Sequence, residues 1–205
     1  MPTAIVSDLH LGAATGRDLL RHESVLAALI EALDGVDELV LLGDSVELRE
    51  APLPRVMAAA RPALAAIGRA MAGGRVTILA GNHDHQLAVP LIEALRLGGR
   101  PLEPETLAQP PEHGPLGLVA QALALPEVRV AYPGVWVRDD VYATHGHYLD
   151  VHNTVPSIER LAIGAVQRFA GRVPEGPLTP FDYESALAPV YALGYALAQN
   201  ARPRA

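Results

Sequence analysis

The chain contains no cysteine. That excludes a disulfide framework, a thiolate metal site and a cysteine nucleophile. Basic residues are few: 16 Lys and Arg against 23 Asp and Glu give a formal net charge of −7. A chain so charged does not hold nucleic acid mainly by neutralising phosphates, and no basic stripe runs along it, so nucleic acid is not expected as a partner. A small phosphorylated substrate remains compatible, because a bound metal reverses the local sign. No run reaches the roughly 18 apolar residues of a membrane span. The most apolar late segment, "ALAPVYALGYALA" (186–198), is shorter and is interrupted by Pro189. The opening "MPTAIVSDLH" has no basic region followed by an apolar signal core. The expected location is the cytoplasm.

Half of the 205 residues are hydrophobic, enough for one domain with a real core. "TAIVS" (3–7), "ELVLLG" (38–43) and "RVTILAG" (75–81) read as strands buried on both faces. Between them, "RDLLRHESVLAALIEAL" (17–33) and "PRVMAAARPALAAIGRAMA" (54–72) read as amphipathic helices. This alternation predicts right-handed βαβ units and a mainly parallel sheet, an α/β fold. "HQLAVPLIEALRLGG" (85–99) reads as a further helix, and 100–127 as a loop-rich insertion with one short helix. "VRVAYPGVWVRDDVYATH" (128–145) predicts two or three strands with tight turns at Pro133-Gly134 and Asp139-Asp140. From about 155 onward, "PSIERLAIGAVQRFA" and "DYESALAPVYALGYALAQN" read as helices. The expected organisation is a core over 1–153 and a helical extension or partial cap over 154–205. The apolar faces of the late helices suit packing against the core or between two copies in a homodimer. A sharper alternative is a cover over an acyl-bearing substrate, or contact with a membrane or lipid surface.

Polar residues gather where the strands end. The first strand runs into Asp8-Leu9-His10, the second into Gly43-Asp44, the third into Gly81-Asn82-His83-Asp84, and "VYAT" into His145. In an open α/β sheet the carboxyl ends of the strands line the ligand crevice. In an extended segment Asp8 and His10 point to one side while Leu9 turns inward. Gly43 and Gly81 permit sharp turns close to a ligand. Each cluster alone fits ordinary turn or cap chemistry, but four at four strand ends do not. A mixed set of carboxylate, imidazole and amide donors suits Mn, Fe or Zn better than Ca or Mg, and the two oxygens of Asp44 can bind separate ions.

"DLH", "GDSVEL", "GNHD" and "THGH", in that order over residues 3 to 150, resemble the calcineurin-like metallophosphoesterases. The resemblance implies an α/β sandwich holding two divalent metal ions, with Mn first and Fe or Zn as alternatives. It implies that Asp8 and His10 bind one ion, that Asp44 bridges both, and that Asn82 and His145 bind the other. His83 would be the catalytic residue that protonates the leaving oxygen or steadies the phosphoryl group, with Asp84 orienting it. The implied reaction is hydrolysis of a phosphomonoester or phosphodiester.

The family's last motif, a separate Gly-His-x-His, is absent: after Gly146-His147 there is only His152. This has three explanations. The chain is the N-terminal portion of a longer protein, or His147 or His152 replaces the missing ligands, or the site is incomplete and binds metal or nucleotide without catalysis. The late helices then resemble a cap begun and not finished. Glu47, His22, His85, His113 and Trp136 have no partners in this scheme and read as structural or exposed.

Overall fold

The structure, a computed structural model, describes residues 2–147 and 179–201. The expected helix over "PSIERLAIGAVQRFA", the boundary at 153/154 and His152 lie outside the described residues.

The fold is α/β, with a mostly parallel six-stranded sheet. Its strands are β1 (Thr3–Val6), β2 (Glu38–Leu42), β3 (Arg75–Leu79), β4 (Glu105–Ala108), β5 (Val128–Arg138) and β6 (Val141–Thr144). The helices are α1 (Glu23–Ala32), α2 (Leu53–Ala70), α3 (Val89–Leu97), α4 (Gly114–Leu123) and α5 (Pro180–Gln199). The strand order is β1-β2-β3-β5-β4, with β6 attached to β5. β1, β2, β3 and β5 run parallel, while β4 and β6 run antiparallel to β5. Val6 pairs with Leu41, and Leu42 with Leu79, so the segments that follow the first three strands leave one edge side by side.

Alternation along the strands divides the core. Leu39 and Leu41 of β2 and Val76 and Ile78 of β3 join the helix-side cluster with Val56, Leu64 and Ile67 of α2. Val40 and Leu79 take the other face with Ala131, Val135 and Ala143. Two-faced burial therefore holds for β2 and β3. It does not hold for β1, which pairs with β2 alone among the described residues and leaves Ile5 45% exposed.

Three further expectations need correction. The helical patterns over 17–33 and 85–99 each divide into a short 3₁₀ turn (Leu19–Arg21, His85–Leu87) and a helix. In the second case Pro90 sits in the first turn of α3, where its missing N–H costs nothing. The 100–127 segment contains the strand β4 as well as α4. β5 runs through Pro133-Gly134 without a turn: Pro133 closes the ladder with β4, and Gly134 opens the one with β6. The turn at residues 139–140 is present.

α5 lays one stripe against the domain. Glu184, Leu187, Tyr191 and Ala198 are buried, while Leu193 and Leu197 face outward. Asp182 in its first turn accepts from the backbone N–H and the hydroxyl of Thr179, both at 2.7 Å. Among the described residues no helix is long and apolar enough to cross a membrane.

Candidate metal centre

Parallel pairing of the first two strands continues past their ends. Asp8 N–H donates to Gly43 O (3.2 Å), His10 N–H to Asp44 O (2.8 Å) and Leu11 N–H to Ser45 O (3.0 Å). Within this ladder Asp8, His10 and Asp44 have φ of 57°, 45° and 50°. Left-handed backbone costs a residue with a Cβ about 1–2 kcal/mol. Three of the four non-glycine residues so placed among the described residues are these. Such strain concentrates at ligand sites. Asp8 and His10 share a side as the sequence predicts, but through two left-handed residues rather than an extended segment.

The imidazoles and carboxylates converge. His10 Nε2 lies 4.0 Å from Asp8 Oδ1 and 3.9 Å from Asp44 Oδ2. His145 Nε2 lies 3.7 Å from Asp8 Oδ1 and 3.6 Å from Asp44 Oδ2. These separations are too long for hydrogen bonds. They are close to those around a cation: tetrahedral donors at about 2.0–2.1 Å from an ion lie roughly 3.4 Å from one another. Asp8, Asp44 and His145 form one group able to hold a metal ion, and His10, Glu47 and His83 form another.

Two glycines make the cluster possible. A Cβ on Gly43, at φ 81°, would lie 2.4 Å from the His145 ring, so that ring packs flat against bare backbone. A Cβ on Gly81 would lie 2.1 Å from Asp44 Oδ1. That oxygen accepts the His83 backbone N–H (2.8 Å), which leaves Oδ2 alone to face the two imidazoles. Asn82 lies beside it. With its nitrogen toward Asp44 Oδ2 and its oxygen toward Arg49 Nη1, the amide makes two contacts of 3.3 Å.

Glu47, fully buried, is the residue that sequence reasoning missed. Its Oε2 lies 3.1 Å from His10 Nδ1 and 2.7 Å from His83 Nδ1. With Nδ1 of His10 engaged there, Nε2 is the nitrogen that faces Asp8 and Asp44, the usual arrangement of a metal-binding imidazole. The His10 and His83 rings meet edge to face at 4.7 Å. Burial draws His83 down, but the hydrogen bond and charge of Glu47, with Asp44, outweigh it and hold His83 above the ordinary histidine range. Burial pushes Glu47 up, and His83, the Arg49 N–H and His10 more than offset it.

Asp84, expected to orient His83, does something else. Its carboxylate accepts the backbone N–H groups of Gly81 (2.7 Å), Ser45 (2.7 Å), Asp44 (3.1 Å) and Val46 (3.3 Å), tying two site loops together. Burial and the Asp44 charge push it up to about 7 against the pull of those donors. His147, a candidate replacement ligand, belongs to neither donor group among the described residues. It is buried, with Nε2 3.1 Å from the Tyr132 hydroxyl. His85 is also paired, with Glu184. One cue to Glu47 lay in the sequence: a lone acid inside "SVEL", on the segment that follows Asp44.

No family model matches this chain, and neither the curated proteins nor the solved structures provide a match.

Proposed function

We propose that the chain is a metal-dependent phosphoesterase that hydrolyses a phosphomonoester or phosphodiester, with the two-ion chemistry and sandwich fold of the calcineurin-like metallophosphoesterases it resembles. The observation that carries this reading is the convergence of Asp8, His10, Asp44 and His145 donor atoms at 3.6–4.0 Å on the carboxyl edge of the sheet. A His83–Glu47 pair stands beside them.

Asp8, His10, Asp44, Asn82 and His145 would hold the ions, Mn first and Fe or Zn as alternatives. When bound, divalent ions neutralise charge on phosphoryl oxygens and lower the pKa of water. The chain's own residues supply the rest. Glu47 fixes the His83 ring through Nδ1 and favours its protonated form. Nε2 is then the nitrogen left to give a proton to the leaving oxygen, a task suited to a histidine near neutral pH. Glu47 also holds the His10 ring with Nε2 toward Asp8 and Asp44.

The test is metal content together with turnover of a nitrophenyl phosphodiester, with added Mn²⁺. The expected result is bound metal and Mn²⁺-dependent hydrolysis, with His83→Ala retaining metal while losing about 100-fold in turnover. Unchanged turnover in His83→Ala would remove His83 from the role. Bound metal without any turnover would identify a non-catalytic metal-binding module instead.

A further inference from the structure

We infer that Glu184 on α5 is a positioning residue for the metal centre, acting through a buried polar chain that joins the two histidine-bearing loops of the site. The inference rests on the metal reading above.

Each of those loops carries a second histidine two places beyond the first: His83 and His85 on one, His145 and His147 on the other. The first of each pair faces the donor groups. The second turns into a shared buried pocket, where the His85 and His147 rings lie 6.2 Å apart. Glu184, 1% exposed, closes that pocket from α5. Its Oε1 meets His85 Nε2 at 2.6 Å, and its Oε2 accepts the Tyr132 hydroxyl proton at 2.6 Å. The tyrosine oxygen also lies 3.1 Å from His147 Nε2. Tyr191, one helical face along from Glu184, lies 4.9 Å from the His85 ring and donates its hydroxyl to His147 O at 3.4 Å. Helix, strand and both loops are thus connected through one carboxylate.

The connection matters for His145. A metal-binding imidazole is usually oriented by a hydrogen bond at its second nitrogen. His145 Nδ1 is buried and has no such partner among the described residues. Its ring rests on Gly43. It also lies 5.4 Å from the His147 ring, and its backbone runs through Gly146 to His147, which Tyr132 and Tyr191 hold. On the second loop, the Glu184–His85 contact secures the residue next to Asp84, the carboxylate that clamps the Asp44 turn. Stability alone does not account for the cluster. Apolar packing of α5 would hold the helix as well, since buried ion pairs rarely outperform hydrophobic replacements.

The test uses the full chain with Mn²⁺ for affinity and Co²⁺ as a spectroscopic probe of ligand geometry. E184Q is expected to weaken Mn²⁺ binding by about tenfold and to change the visible Co²⁺ spectrum. Y132F, which keeps the ring and removes the bridging hydroxyl, is expected to act in the same direction. L187A removes a buried apolar side chain from the same helix. It should lower the melting temperature while leaving Mn²⁺ affinity and the Co²⁺ spectrum at wild-type values. Wild-type affinity and spectrum in E184Q, or an equal loss in L187A, would reduce Glu184 to a helix anchor and overturn the inference; if E184Q does not fold, Y132F decides. A wild-type protein that binds no Mn²⁺ overturns the metal reading and this inference together, whereas binding that no variant alters overturns this inference alone.

Discussion

Two residues apart on one loop, His83 and His85 end in unlike surroundings, and so do His145 and His147 on another. Around Asp8, Asp44, His10 and His145, the donor atoms stand 3.6–4.0 Å apart, and Asp8, His10 and Asp44 have left-handed backbone. Around Glu184, contacts to His85 and Tyr132 are 2.6 Å, and each oxygen of the carboxylate has its own partner. The loops after β3 and β6 each contribute a residue to both regions. Both oxygens of Glu184 find partners inside the fold, although His85 Nδ1 beside them is buried without one; the other cluster is arranged for something brought from outside. A buried polar group without a partner costs free energy, and its persistence where backbone strain also collects is the physical argument for a ligand site.

The largest expected effect comes from removing the central charge of the unsatisfied cluster. Asp44→Asn keeps an oxygen able to accept the His83 N–H but takes a charge from the donor group. Mn²⁺-dependent turnover should fall by more than about 100-fold, beyond the range typical of residues that merely hold a ligand in place. Thermal unfolding of the metal-free variant should occur at the wild-type temperature or higher, because Asp44 also repels the buried Asp84. A variant that loses both activity and stability would mean that the donor cluster is structural after all, and the contrast with the Glu184 cluster would collapse.

Asp84→Asn sharpens the contrast from the other side. Asp84 is fully buried and its acceptors are used by four backbone N–H groups of two loops. An amide brings its own N–H₂ donors against those donors. The expected loss is about 2–3 kcal/mol in denaturant unfolding, with weaker metal binding following from the loosened Asp44 turn. A variant as stable as wild type would show that the loops hold their geometry without this carboxylate.

Much of this arrangement was legible in the chain because parallel strands place their carboxyl ends on one edge. Finding β2 and β3 by their apolar runs was enough to bring Asp44 and Asn82 together, and β1 added Asp8 and His10. β4 was hidden: it has four residues, only one of them buried, inside a segment rich in proline. β5 was read as broken because Pro133-Gly134 has turn composition, whereas the strand merely passes from one partner to another there. The supporting carboxylates were illegible for a different reason. Glu47 meets His10 and His83 from 37 and 36 residues away, and Glu184 meets His85 from 99. Such pairs obey no local spacing. They exist only once the sheet order and the docking of α5 are fixed, and Asp84, which the resemblance places behind His83, spends its carboxylate on backbone N–H groups.

Glu47 lies between the two kinds of cluster, since its own hydrogen bonds are complete while the imidazoles it holds face the unsatisfied donors. Glu47→Gln should therefore have the smallest effect of the three, roughly tenfold on turnover at saturating Mn²⁺, and the effect should depend on pH. His83 serves as an acid only while protonated, so the wild-type rate falls as pH rises through its raised pKa. Burial draws that pKa down, and the hydrogen bond and charge of Glu47 are the main influences opposing it. The neutral glutamine removes the opposition, so the alkaline limb of the rate profile should move to lower pH, and the variant should approach wild type on the acid side of that limb. An acid-side deficit with an unmoved limb would assign Glu47 to holding His10 rather than to setting the protonation of His83. Full activity at every pH would detach it from both, leaving the charge-rich region around Asp44 to act without the buried carboxylate beneath it.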